Sequence, residues 1–269
     1  MKAIEKLNRI QNERNTLLCV GLDPDINKIP QHYSRDVHGV LNFCNDVIEC
    51  TKNLTVAYKI NFAFFEVFGK EGFGIIEKLK QLIPNNIFTI ADAKRSDIGN
   101  SAQFYAKTIF EYFDFDAITI NPLMGRDSID PFLDYTNKFT YSLGLTSNPG
   151  ADDFLKQIMW IQKPIFLHII EKLAEWYSID SIGFVVGATQ SDYFETIRKA
   201  IPNHNLLIPG VGAQGGNLNK LKEIGLTPSL INVSRDILYP APAKDYKLEV
   251  IKKTSYYKHI LAIEETTIK

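Results

Sequence analysis

Eight short runs rich in β-branched and aromatic residues, each followed by a longer stretch of helical character, set the tightest limit on what this chain can fold into. The runs are Leu17–Leu22, Thr55–Ile60, Ile87–Ala91, Ala117–Ile120, Phe139–Leu145, Ile182–Val186, Leu206–Pro209 and Leu230–Val233. Most are almost continuously apolar, the pattern of parallel strands covered on their outer side by helices. Helical stretches lie between them at Val40–Cys50, Ile75–Leu82, Ala102–Phe113, Tyr193–Ile201 and Leu218–Ile224. In the second of these, Ile75, Ile76, Leu79 and Leu82 share one face and are expected to be buried. Eight β–α units in 269 residues predict a closed (β/α)₈ TIM barrel forming a single domain over 1–269. An N-terminal helix at about 2–14 would close the bottom of a barrel running over about 17–258. A doubly wound open sheet is the alternative. The pattern is weakest over 151–181, where Ile158–Ile170 reads equally as helix, strand or insertion.

Composition narrows the function classes. At 45% hydrophobic and 23% charged, the chain can bury a sizeable core. A formal net charge of −1 gives no general attraction to nucleic acid, so an anionic ligand would need a local positive site. The start, Met1-Lys2-Ala3-Ile4-Glu5-Lys6-Leu7, lacks the apolar core of a secretory signal, and no run approaches the roughly 20 apolar residues of a membrane span. Cys19, Cys44 and Cys50 are odd in number and lack CxxC spacing, which reads as reduced thiols in a cytoplasmic protein.

In a TIM barrel the chemistry gathers at the C-terminal ends of the strands. Those positions here hold Asp23, Lys59, Asp92 with Lys94, Ser147, Gly187, the run Pro209–Gly216, and Ser234-Arg235. Residues i and i+2 of a strand point the same way, so Asp92 and Lys94 should both face the barrel mouth, with Lys59 on the neighbouring strand able to join them. Such charges tolerate burial only by neutralising one another. By themselves they could be an ion-pair network that merely closes the barrel top. The glycine-rich run after strand 7 and Arg235 after strand 8 occupy the places where many barrels bind phosphate, through backbone N–H groups and a charged clamp.

The five histidines are scattered without HxH or HExxH spacing, and no G-x-S-x-G elbow occurs. What remains is a carboxylate–lysine centre beside a phosphate clamp, suited to proton transfer at carbon in a phosphorylated metabolite.

Asp92-x-Lys94-x-x-Asp97-Ile98, Leu22-Asp23-Pro24, Thr146-Ser147-Asn148-Pro149-Gly150, the Pro209–Gly216 run and Ser234-Arg235 together resemble orotidine 5′-phosphate decarboxylase, in the wording of its type 2 subgroup. The resemblance covers about Leu17 to Arg235. It implies a cytoplasmic, homodimeric TIM barrel that converts orotidine 5′-phosphate to UMP and CO₂ in the last step of pyrimidine nucleotide synthesis, with neither metal nor organic cofactor. It makes Lys94 the proton donor to C6, Asp92 the neighbour of the substrate carboxylate, and Lys59 the residue that holds Asp92 and reaches the ribose. Asp97 and Ile98 would enter the partner subunit's site, with Ser101 where the family often has threonine. Asp23 would contact the ribose and Ser147, within the Thr146–Gly150 motif, the pyrimidine edge. Gln214 and Arg235, within the segments that begin at Pro209 and Ser234, would bind the phosphate. Asn61, two residues past Lys59, could also face the site. Closure is expected in the segments after strands 5 and 7. Arg95 has no role in this scheme beyond a surface or interface ion pair. The length leaves no room for a fused phosphoribosyltransferase.

Two alternatives stand beside this reading. A magnesium-dependent sugar-phosphate lyase or synthase of the same barrel group shares D-x-K-x-x-D but carries an acidic residue on strand 2, where this chain has Lys59. A non-catalytic nucleotide-binding barrel would have no need of the set Lys59, Asp92, Lys94 and Asp97.

Overall fold

The computed structural model describes residues 1–212, 218–240 and 245–263. Among them, eight parallel strands close into a barrel in sequence order: β1 (Leu18–Leu22), β2 (Ala57–Asn61), β3 (Phe88–Arg95), β4 (Ala117–Ile120), β5 (Phe139–Leu145), β6 (Ile182–Val186), β7 (Leu206–Pro209) and β8 (Ser229–Val233). Closure is direct, with Leu18, Cys19 and Val20 of β1 in register with Ile231, Asn232 and Val233 of β8. The TIM barrel expected from the alternation is therefore the fold, and the open-sheet alternative is excluded.

The helices follow from amphipathic spacing. They are α1 (Ala3–Arg14), α2 (Val37–Thr51), α3 (Ala63–Glu66), α4 (Lys70–Leu82), α5 (Gly99–Lys107), α6 (Asp130–Leu133), α7 (Ile165–Trp176), α8 (Phe194–Ala200), α9 (Leu218–Ile224), α10 (Arg235–Leu238) and α11 (Tyr246–Ile260). In α4, Ile75, Ile76 and Leu79 are buried as the spacing predicts, but Leu82 is 41% exposed. The helix ends there, the chain turns extended at Ile83, and Ile83 fills the core position instead.

Helix α1 lies across the N-terminal ends of the strands. Lys6 pairs with Asp116 at 2.8 Å, ahead of β4, and the same carboxylate oxygen accepts the Thr89 N–H and hydroxyl of β3. Gln11 donates to the Ser229 carbonyl at the start of β8. This end is sealed by hydrogen bonds and apolar side chains, so the opposite end is left as the open mouth.

Within the ambiguous stretch Ile158–Ile170 the chain is a loop followed by helix, with no strand. A 3₁₀ turn at Pro149–Asp152 leads into a small loop closed by an antiparallel bridge between Ile158 and Pro164, and α7 begins at once after it.

Candidate active site

A cleft of about 400 Å³ opens at the C-terminal ends of the strands, lined on its charged side by Asp23, Lys59, Asn61, Asp92, Lys94 and Thr119. The Asp92 carboxylate is the hub. Its Oδ2 lies 2.7 Å from Lys59 Nζ and its Oδ1 2.6 Å from Lys94 Nζ. Lys59 Nζ is also 3.5 Å from Asp23 Oδ1. Burial alone would push the Asp92 carboxyl up, but Lys59 and Lys94 outweigh it and hold the group well below the usual carboxylate range. Burial likewise opposes the charge on Lys59, and Asp23 and Asp92 overcome it, raising that ammonium above the ordinary lysine range. Lys59 and Asp92 are fixed charges in a poorly solvated place, with Lys94 reaching them from the more exposed edge, and charge held in this way acts strongly on charge developing nearby.

Asp92 and Lys94 do meet, though not through regular strand alternation. The β3–β4 register shifts between Ala91 and Arg95, and Lys94 has φ +47° in the left-handed region. For a non-glycine residue that conformation costs about 1–2 kcal/mol. It is held by Thr119, whose hydroxyl accepts the Lys94 N–H at 3.0 Å and donates to Asp92 Oδ1 at 2.9 Å. Thr119 is a site residue that sequence reading missed. As a threonine in a β-branched strand it looks like ordinary core, and its only signal is a hydroxyl in an otherwise apolar run.

The other side of the cleft is neutral apart from Arg235: Thr146, Ser147 and Asn148 after β5, Pro209, Gly210 and Val211 after β7, and Asn232, Ser234 and Arg235 at β8. Thr146 and Ser147 are held from behind by the turn that follows β6. Gln190 Nε2 donates to the Thr146 carbonyl at 2.9 Å, and the Thr189 hydroxyl donates to that of Ser147 at 3.2 Å. Gly187 packs so closely that an added Cβ would meet Ser147 at 2.6–2.8 Å. Gly210 and Gly212 both have positive φ, at +96° and +87°, which suits a chain that turns its N–H groups toward an anion. Arg235 begins α10, and the next residue, Asp236, is anchored to α11 by the Tyr257 hydroxyl at 2.7 Å and by Lys253 at 3.1 Å. Asn232, buried in β8 and also lining the cleft, was not anticipated.

The cleft thus brings together Asp23, Lys59, Asn61, Asp92, Lys94, Thr146, Ser147, Pro209, Ser234 and Arg235. Gln214 lies outside the described residues. Asp97, Ile98 and Ser101 do not line the cleft of their own chain. Asp97 Oδ1 accepts the Ile98 N–H at 2.8 Å, Ile98 is 55% exposed, and Ser101 lies exposed on α5 beside Phe104 and Tyr105.

The family model described as the orotidine 5′-phosphate decarboxylase / HUMPS family matches residues 16–246. The chain is similar to the orotidine 5′-phosphate decarboxylase of Flavobacterium johnsoniae, with 42% identity over 240 residues that cover 87% of this chain and 88% of that protein. Among solved structures it is similar to the OMP decarboxylase of Leishmania donovani, at 31% identity and a TM-score of 0.84, covering 97% of this chain and 99% of that one. It is also similar to the UMP synthase of Leishmania donovani, at 32% identity and a TM-score of 0.84, where the match covers 96% of this chain and spans 57% of the other. The chain belongs to the orotidine 5′-phosphate decarboxylase / HUMPS family.

Proposed function

We propose that this chain decarboxylates orotidine 5′-phosphate to UMP and CO₂ by electrostatic and proton-donor catalysis from its own side chains, without metal or organic cofactor. The observation that carries the reading is the Lys59–Asp92–Lys94 array, with Lys59 Nζ between Asp23 and Asp92. A divalent cation in a sugar-phosphate lyase or synthase of this family would need the acidic groups that Lys59 already engages here, so the decarboxylase branch is the better fit.

The C6–carboxylate bond breaks, CO₂ departs, and the electron pair stays on C6 of the pyrimidine. That carbanion is poorly delocalised, so a nearby fixed positive charge lowers the barrier. The Lys94 ammonium supplies the charge and then its proton to C6, giving UMP, and is reprotonated from solvent. Asp92 places negative charge beside the departing carboxylate, while Lys59 keeps Asp92 ionised and in place. Asp23 would meet the ribose and Ser147 the pyrimidine edge, with Asn61 and Thr146 lining the cleft beside them. Gln214 and Arg235 would bind the phosphate, in the segments that also carry Pro209 and Ser234.

The working unit we infer is a homodimer, with Asp97 and Ile98 entering the partner's site. The exposed apolar surface around them, Ile98 at 55%, Phe104 at 70% and Tyr105 at 38%, supports that reading. A cytoplasmic setting fits the three unpaired cysteines.

The test is to add orotidine 5′-phosphate to EDTA-treated protein and follow the loss of pyrimidine absorbance. Turnover at the untreated rate is expected. Absence of turnover that magnesium restores would move the assignment to the sugar-phosphate branch.

A further inference from the structure

Arg95 follows Lys94 directly and has more contacts than a surface ion pair requires. Its guanidinium pairs with Glu66 at the end of α3 and lies over two rings, 5.8 Å from the Phe62 centroid and 5.3 Å from that of Tyr105. Its carbonyl accepts the Asn121 N–H after β4 at 3.0 Å. Phe62 is itself tied to the centre, since its N–H donates to the Asp92 carbonyl at 3.2 Å. Arg95 therefore joins the end of β2, the irregular end of β3 and helix α5.

Lys94 needs such a brace. Its side chain is 47% exposed and has Asp92 as its one ion-pair partner among the described residues. Packing does not fix its aim. When the ammonium leaves Asp92 to deliver a proton, only the backbone turn still directs it, and that turn is a left-handed residue at a register shift. Thr119 holds the turn on the Lys94 side. Arg95 holds it on the other.

An aliphatic side chain could fill the gap between two rings. A guanidinium adds direction, because its charge lies over both rings while one of its N–H groups is held by the Glu66 carboxylate.

We propose that Arg95 is a positioning residue for Lys94: clamped by Glu66, Phe62 and Tyr105, it sets the turn that aims the Lys94 ammonium at the reacting carbon. The proposal rests on Lys94 being the proton donor.

It is tested with Arg95→Met, Arg95→Lys and Glu66→Gln, measuring kcat with orotidine 5′-phosphate and the Kd of UMP, a ligand with no carboxylate at C6. Arg95→Met should lower kcat at least about tenfold and leave the UMP Kd within about twofold. Arg95→Lys, which keeps the charge without the planar, multi-donor guanidinium, should fall between Arg95→Met and wild type. A folded Arg95→Met with wild-type kcat would overturn the proposal, as would loss of UMP binding in proportion to kcat, the mark of a merely structural role. Should Arg95→Met not fold, the same two readings on Arg95→Lys and Glu66→Gln decide. Lys94→Ala is run beside them. Turnover lost in Lys94→Ala but intact in the Arg95 variants sinks this proposal alone, whereas turnover retained in Lys94→Ala sinks the assigned chemistry with it.

Discussion

The two sides of the cleft are built by different means. At the ends of β2–β4, charged side chains meet one another: Lys59, Asp92 and Lys94 lie within 2.6–2.7 Å contacts, with Thr119 bonded to the same carboxylate. At the ends of β5–β8 the loops that line the cleft are shaped through backbone, by Gln190 and Thr189 on the carbonyls of Thr146 and Ser147 and by glycines at positive φ. The first construction fixes charge, which acts on a transition state. The second presents close-packed backbone, which on the proposed reading recognises a base edge and a phosphate in ground and transition state alike. Changes on the charged side should therefore reach kcat, and changes on the other side chiefly KM.

The largest expected effect is that of Lys94→Ala. Removing the proton source and the charge nearest the developing carbanion should cost about 4 kcal/mol or more, a loss of roughly a thousandfold or beyond in kcat. A half-exposed residue at the mouth contributes little to the core, so thermal unfolding should stay close to wild type. Near-normal turnover in folded protein would erase the distinction between the two sides.

Asp97 belongs by sequence to the charged side but does not line its own chain's cleft. If it serves the partner, Lys94→Ala and Asp97→Ala homodimers should both be poorly active, since every site lacks one group. After subunit exchange the mixed dimer has one site lacking both and one complete, and should reach about half of wild-type activity per mixed dimer. No recovery despite demonstrated exchange would return Asp97 to its own chain.

The charged side was also the more legible in sequence. Asp23, Lys59, Asp92 and Lys94 stand out because a charge at the end of an apolar parallel strand is costly to bury unless a partner or a ligand meets it. The strands themselves were legible to within about two residues at most ends, since burial on both faces leaves continuous apolar runs. β3 was the exception, continuing to Arg95 through the irregularity that carries Lys94. That turn depends on Thr119, a residue whose type suits a plain strand. The brace behind Thr146 and Ser147 was equally hidden. Gln190 lies 44 positions from its partner and has no pattern of its own. Leu82 misled for a related reason: helical spacing names a face but not the turn at which the helix ends.

On the neutral side the strongest single interaction should be that of Arg235, a charge-assisted clamp worth roughly 1.5–3 kcal/mol. Arg235→Ala should raise KM for the nucleotide about 10- to 150-fold, with a much smaller effect on the phosphate-free nucleoside. An equal loss with both substrates would show that Arg235 does not hold the phosphate.

The finest test concerns Gln190, which touches none of the charged groups. Gln190→Leu keeps the volume and removes the donor to the Thr146 carbonyl, so that carbonyl loses a hydrogen bond worth about 1 kcal/mol. Among the described residues, Thr146 and Ser147 would then be held by Thr189 and by the packing of Gly187. Because this loop is read as meeting the pyrimidine edge, KM should rise about fivefold while kcat stays within about twofold. The same loss should lower Tm by about 2–4 °C in a chain of this size. A fall in kcat larger than the rise in KM would mean that the loop after β5 contributes specifically to the transition state. The division between a charge-fixing side and a recognising side would then fail where the two are furthest apart in construction.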